Sequence, residues 1–221
     1  MYKTITFFIY DCNKLSIVSF RSLPTHLPDL QCDPTLEKSD VLCLQETFCH
    51  QSAPTPQLHG YTCYLCGEGR GRGVAAYVKT SLVASKKLLK VERIEEDYVQ
   101  GLKLCFTDLH ILNLYRPPNT ESNQNFDKFV EIVQHNVTPH QQMMICGDMN
   151  FDYWKKSSNR LSVMLRNMGF KQIVKQPTTI HGTCLDHIYL RTKFLSKHKL
   201  YYPYYTDHEC VCVMLKKPVT S

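Results

Sequence analysis

Short apolar runs, each closed by polar or turn-forming residues, recur along the chain. DVLCLQE (40–46), VAAYVK (74–79), MMICGD (143–148), CLDHIYLR (184–191) and ECVCVML (209–215) have strand length and β-type composition. VQGLKLCF and LHILNLYR flank Thr107-Asp108, a pattern that predicts a hairpin with a short turn. Two stretches follow the helical period instead. In SNQNFDKFVEIVQH the residues Phe126, Phe129, Val130 and Val133 share one face, and Ser122 stands where an N-cap belongs. In SSNRLSVMLRNMG the same holds for Leu161, Met164, Leu165 and Met168, with Gly169 placed as a C-cap. A third helix is expected across residues 27–38. Strands outnumber helices and hairpins mix with helical crossovers, so the expected class is α/β, with two packed β-sheets and helices outside. No repeat, low-complexity tract or linker interrupts the pattern, which predicts one domain over residues 1–221.

Composition narrows this picture. With 43% apolar and 21% charged residues in 221, the chain reads as globular and long enough to bury a real core. The net charge of +6 suits a polyanionic partner without requiring one, since only Lys86, Lys87 and Lys90 cluster. Of the eleven cysteines, Cys43, Cys105, Cys146, Cys210 and Cys212 lie inside apolar runs, where reduced thiols of an intracellular protein belong. Cys63 and Cys66 form a CxxC with no second pair at finger spacing, which argues against zinc. No apolar run approaches the roughly 18 residues of a membrane span. The opening MYKTITFFIYDCNK is too short in its apolar part for a signal peptide and has no small-residue cleavage site. The expectation is a protein without a membrane segment, intracellular (nuclear or cytoplasmic) and not secreted.

Chemistry enters at the strand ends. DVLCLQE ends at Glu46, LHILNLYR at Tyr115 and Arg116, and MMICGD at Asp148 with Asn150 two residues on. Asp186 and His187 sit in CLDHIYLR, and Asp207-His208 precede the last apolar run. A carboxylate such as Asp186 inside an apolar strand is costly unless paired. Glu, Asp, Asn, Tyr and His without a Ser or Cys nucleophile make a set of hard donors that suits Mg²⁺ or Mn²⁺. Metal-assisted hydrolysis of a phosphate ester is the reaction class this set permits.

In order, LQE, YRPPN, GDMN, LDHI and TDH resemble the signature blocks of the endonuclease/exonuclease/phosphatase superfamily, over about residues 15–215. Within it, SFRSLPTHLPDLQCDPTLEKSDVLCLQETF, GRGRGVAAYVK and KQPTTIHGTCLDHIYL resemble the apurinic-endonuclease-like nucleases of LINE-type and Helitron-type mobile elements. The resemblance implies a DNase I-like fold, a two-layer β-sandwich flanked by helices, and a Mg²⁺- or Mn²⁺-dependent DNA endonuclease that nicks one strand. It implies a monomeric domain within a larger mobile-element polyprotein, with DNA as its partner. By the same resemblance Glu46 is the main metal ligand and Asp207 a carboxylate near the metal. Tyr115 contacts the scissile phosphate, Asp148 orients or deprotonates water, and Asn150 holds the phosphate. Asp186 pairs with the catalytic His208, and His187 is structural. Arg70, Arg72 and Arg116 are candidates to line a DNA groove, and the loop QPTTIHGTC (176–184) to set target preference.

One block departs from the pattern. The superfamily's first strand carries an Asn where SFRSL has Ser19, and residues 1–14 match nothing expected of the family. The departure supports a second reading, a nucleic-acid-binding relic without catalysis. A third is a small-molecule or lipid phosphodiesterase of the same superfamily.

Overall fold

The structure, a computed structural model, describes residues 4–11, 27–29, 31–32, 39–49, 54–69, 71–118, 123–155, 159–201 and 208–216. In chain order the strands are β1 (Thr4–Asp11), β2 (Val41–Gln45), β3 (Tyr61–Cys66), β4 (Val74–Lys79), β5 (Leu88–Glu96) and β6 (Val99–Phe106), then β7 (His110–Tyr115), β8 (Met143–Asp148), β9 (Lys171–Gln172), β10 (Asp186–Arg191), β11 (Leu195–Tyr201) and β12 (Cys210–Lys216). The helices are α1 (Thr80–Ala84), α2 (Asn123–Asn136) and α3 (Asn159–Asn167). Two six-stranded sheets form, ordered β11-β12-β1-β2-β4-β3 and β5-β6-β7-β8-β10-β9. Between them lies the main core, with Val41, Cys43, Val74 and Val213 from the first sheet against Leu104, Ile111, Met144 and Ile188 from the second. Helices α2 and α3 cover the second sheet's outer face, where Phe129, Val133, Leu161 and Leu165 meet Leu112, Leu114, Ile145 and Tyr189. This is the two-layer sandwich flanked by helices that the sequence pattern predicts.

Helical periodicity reads through to burial. Phe126, Phe129 and Val133 of α2 are buried, as are Leu161 and Leu165 of α3. Gly169, at φ +84°, ends α3, and the Phe170 N–H bonds the Leu165 carbonyl at 2.9 Å, which satisfies a carbonyl the last turn leaves open. Ser122 lies outside the described residues. Residues 27–29 and 31–32 of the expected third helix are helical.

Strands β2 and β8, covered on both faces, are continuously buried, which is why their sequences run apolar without alternation. Edge strands differ. β5 (LLKVERIEE) and β11 (LSKHKLY) carry charged residues that discourage pairing with a further chain, and this hides their strand character.

The SFRSL block, expected to carry the family's first-strand position, lies outside the described residues. Ahead of it in the chain, Thr4–Asp11 occupies the middle of its sheet. It runs antiparallel to β12 and parallel to β2, with Asp11 registered against Gln45. Ser19 is outside the described residues. The CxxC also resolves: residues three apart on a strand point to opposite faces. Cys63 packs on the outer face of its sheet and Cys66 in the inter-sheet core. Burial pushes the Cys63 thiol up to about 12 and the Cys66 thiol up to about 11.

Candidate active site

One register row across the second sheet gathers polar residues at the mouth of the sandwich. Gln100 pairs with Tyr115, Tyr115 with Asp148, and Asp148 with Asp186. Residues level across a sheet project to the same face. Here that face is the inner one, since Ile111, Met144, Cys146 and Ile188 of the same alternation lie in the inter-sheet core. Residues 115, 148 and 186, far apart in the chain, therefore stand side by side.

The first sheet supplies Glu46 and His208. Continuing the alternation of Leu42 and Leu44, which pack on the outer face, Glu46 would point away from this row. Its backbone instead turns left-handed, at φ 49°, a conformation that costs a side-chain-bearing residue on the order of 1–2 kcal/mol. The turn is held by the Thr47 N–H on the Gly73 carbonyl at 3.2 Å and the Phe48 N–H on the Arg72 carbonyl at 3.0 Å. Gly73 leaves no space for a side chain, because a Cβ there would sit 2.4 Å from Thr47 Oγ1. Thus redirected, the Glu46 carboxylate accepts the Tyr115 hydroxyl proton across the sandwich. The same hydroxyl oxygen lies 3.1 Å from the Gly71 carbonyl oxygen.

His208 enters just before β12, where its backbone bridges to Thr179. Its Nδ1 lies 2.9 Å from Asp186 Oδ2, a second contact from sheet to sheet, with both residues buried. Thr178 secures the pair: its hydroxyl oxygen accepts the Asp186 N–H at 3.1 Å, and its carbonyl accepts the Glu209 N–H at 2.7 Å. The segment 176–184 therefore positions the histidine's surroundings as well as bordering the site.

Asp148 is fixed by its neighbour. The Asn150 backbone N–H donates to Oδ1 at 2.8 Å and the Asn150 side-chain amide to Oδ2 at 3.0 Å. That amide's second N–H donates to the Arg116 carbonyl at 2.8 Å. Asn150 itself is left-handed at φ 47°, a region asparagine tolerates better than most residues. Directly before Asp148, Gly147 has φ +136°, and a Cβ there would lie 1.8 Å from the Leu114 carbonyl oxygen. Only glycine lets β8 approach β7 at this point.

Glu46 and Asp148 are buried carboxylates, 2% and 1% exposed, and their donors are hard oxygens of the kind Mg²⁺ or Mn²⁺ prefers. A site offering one or two carboxylates, with water completing the shell, is the usual Mg²⁺ arrangement, so the residues fit that ion. Among the described residues no group of three His, Cys, Asp or Glu comes together as a protein-only cage. Asp207 lies outside the described residues.

Of the three candidate groove arginines, the structure describes two. Arg116 does not line a surface groove. It is 3% exposed, its guanidinium sits 5.6 Å from the Phe126 ring centre and 5.9 Å from that of Phe151, and Nη1 reaches the Met149 and Asn150 carbonyls at 3.3 and 3.2 Å. It pins the GDMN turn from below. Arg72 is half-buried, with Nη2 3.5 Å from the Asp97 carbonyl oxygen. Arg70 lies outside the described residues. His187, one residue from Asp186, faces the helix-covered side and is fully buried. Its Nε2 lies 3.1 Å from the Cys184 and 3.2 Å from the Phe151 carbonyl oxygen, so Nε2 carries the proton. Nδ1 takes the Tyr189 hydroxyl at 3.2 Å. Desolvation pushes its pKa down to about 4 and keeps it neutral.

The sequence reading missed a polar strut beneath the row. Gln45 Nε2 donates to Asn113 Oδ1 at 2.6 Å, and Asn113 Nδ2 donates to the Ala75 carbonyl at 3.1 Å. Above it, Gln100 Oε1 accepts the Gly73 N–H at 2.7 Å. A lone amide in HILNLY was the available signal.

The sequence profile of the Endonuclease/Exonuclease/phosphatase family matches residues 20–208, and the chain belongs to that family. Members of the family are phosphodiesterases and nucleases. The chain is 27% identical over 147 residues, 62% of its length, to Recombination repair protein 1 of Drosophila melanogaster. It is 25% identical over 151 residues, 65% of its length, to the probable RNA-directed DNA polymerase from transposon X-element of the same organism. These matches span only 22% and 16% of those two proteins. An AP endonuclease from Archaeoglobus fulgidus shares the fold with a TM-score of 0.69 and 16% identity, over 96% of this chain and 99% of that one. No helix among the described residues is long and apolar enough to cross a membrane.

Proposed function

We propose that the chain is a Mg²⁺- or Mn²⁺-dependent DNA endonuclease of the mobile-element type, one that nicks a single strand and leaves a 3′-hydroxyl. The observation that carries this reading is the unbroken series Glu46–Tyr115–Asp148–Asp186–His208, made of two register pairs and two hydrogen bonds between sheets. Glu46 and, by the family resemblance, Asp207 would hold the ion, which would supply charge neutralisation at the phosphodiester. Asp148, its two oxygens oriented by Asn150, draws the proton from the attacking water. Tyr115 and Asn150 are the candidates to hold phosphoryl oxygens once a substrate draws their donors from Glu46, Asp148 and the Arg116 carbonyl, and His208, its Nδ1 committed to Asp186, presents Nε2 to the same group. The similarity to a recombination repair protein, a transposon polymerase and an AP endonuclease, together with the charge of +6, favours DNA over a small-molecule or lipid ester. We take residues 1–221 as a single intracellular domain, part of a longer mobile-element protein.

The test is nicking of supercoiled plasmid with Mg²⁺, repeated with EDTA and with Asp148→Ala. Mg²⁺-dependent open circles that a polymerase extends without end repair are expected, with a loss on the order of 10²–10⁴-fold in the variant. Nicking that survives EDTA would remove the mechanism. Ser19 favours a second reading, a binding relic. Ser19→Asn raising the nicking rate would exclude it, whereas no gain with intact salt-dependent DNA binding would support it.

A further inference from the structure

The chain's single tryptophan is not in the core. Trp154 is 57% exposed, although aromatic side chains ordinarily bury 150–250 Å². Its loop is built rather than loose. Met149 N–H bonds the Leu185 carbonyl at 3.0 Å and Tyr153 N–H the Cys184 carbonyl at 2.9 Å, so the loop runs alongside the segment entering Asp186. Asp152 Oδ1 accepts both the Trp154 N–H at 3.3 Å and the Cys184 N–H at 3.2 Å. The indole stands edge-on to Tyr153 with centroids 5.0 Å apart, and Tyr153 stands edge-on to the buried His187 ring at 5.7 Å. An indole face is thus held in water on an aromatic stem, four residues beyond Asn150 and beside the strand that carries Asp186.

From this placement we infer that Trp154 is a stacking platform for an unpaired base of the nucleic-acid substrate next to the scissile phosphate. This rests on the nuclease reading above and extends it to how the strand is held. An indole accepts any base, because every base offers a π-face, and the side chain's ordering is already arranged by its loop. Exposed Lys155 follows directly and adds positive charge beside the ring. The platform therefore favours single-stranded or locally opened DNA over a closed duplex.

Because Trp154 is the only indole in the chain, its own emission reports the contact. Titrating the full chain with a single-stranded oligothymidylate in EDTA should quench tryptophan fluorescence in step with binding measured by anisotropy of a labelled strand. Trp154→Ala should weaken binding about 10-fold, the size of one stacked base, while Trp154→Phe keeps most of the affinity. Binding with unchanged emission, or with equal affinity in Trp154→Ala, would overturn the platform and leave the nuclease reading standing. A chain that neither binds the strand nor nicks plasmid would overturn both.

Discussion

Acid should loosen this fold through a residue that takes no part in the proposed chemistry. His187 is sealed beneath Tyr153 and Phe151, and desolvation lowers its pKa from 6.5 to about 4. The unfolded chain takes up a proton near pH 6.5, whereas the folded chain resists until about pH 4. Between those values the unfolded state binds more protons, so stability falls as pH falls through the window and levels off below it. The gap from 6.5 to about 4, at about 1.4 kcal/mol for each pH unit, comes to roughly 3 kcal/mol. That is a large share of the 5–15 kcal/mol of a typical domain. The perturbation that isolates it is His187→Gln, whose amide can still donate to the Cys184 carbonyl but cannot titrate. Urea denaturation of both proteins from pH 7 to pH 4 is the assay, and carboxylates common to the two cancel in the comparison. The variant should start less stable at pH 7 and lose roughly 3 kcal/mol less on acidification. Parallel stability curves would refute the reasoning, since His187 would then not be the group that stays unprotonated.

Three shorter predictions follow from the same geometry. Tyr115→Phe removes the proton donor to a buried carboxylate and should lower stability by about 1–3 kcal/mol in urea denaturation; an unchanged midpoint would show that the contact contributes nothing. Gly147→Ala, with a Cβ 1.8 Å from the Leu114 carbonyl oxygen, should leave no soluble folded protein by circular dichroism, while Gly60→Ala, where a Cβ meets nothing within 4 Å and only φ +82° resists it, should lose about 1–2 kcal/mol and remain folded. Glu46→Gln should abolish any Mg²⁺-dependent rise in melting temperature seen in the unaltered chain, because the carboxylate proposed to hold the ion is gone; a rise that persists would place the ion elsewhere.

What the sequence disclosed was set by strand parity. Ile111, Tyr115, Met144, Asp148, Asp186 and Ile188 obey a period of two, so a polar residue ending an apolar run could be read as the mouth of the same face. The same parity separates Asp186 from His187, and it separates Cys63 from Cys66. Where parity breaks, the sequence is silent. Nothing in LQETF announces that Glu46 abandons the alternation of Leu42 and Leu44, because the left-handed turn is held by Arg72 and Gly73 from the loop that precedes β4. Arg116 failed for a related reason: exposure of a cation depends on what lies over it, and Phe126 and Phe151 arrive from elements that sequence spacing does not connect to it. TITFFIYD matched no expected block, yet its eight residues fill the centre of a sheet and bring Asp11 level with Gln45.

Those failures share a cause that also explains the strut at Gln45 and Asn113. The polar groups inside this sandwich find partners on the facing sheet: Gln45 meets Asn113, Asn113 meets the Ala75 carbonyl, Tyr115 meets Glu46 and Asp186 meets His208. Which residues face each other is fixed by the stacking of β2 and β4 on β7 and β8, a property of the assembled layers and not of any one strand. The amide pair at 2.6 Å beneath the Tyr115–Glu46 contact is therefore a register pin between sheets. Sliding either sheet over the other by one residue, about 3.3 Å, would carry Asn113 out of reach of Gln45 and, with it, Tyr115 out of reach of Glu46. The carboxylate row and the pin below it hold or fail together, and so the site's geometry is a consequence of how the two layers are indexed against each other.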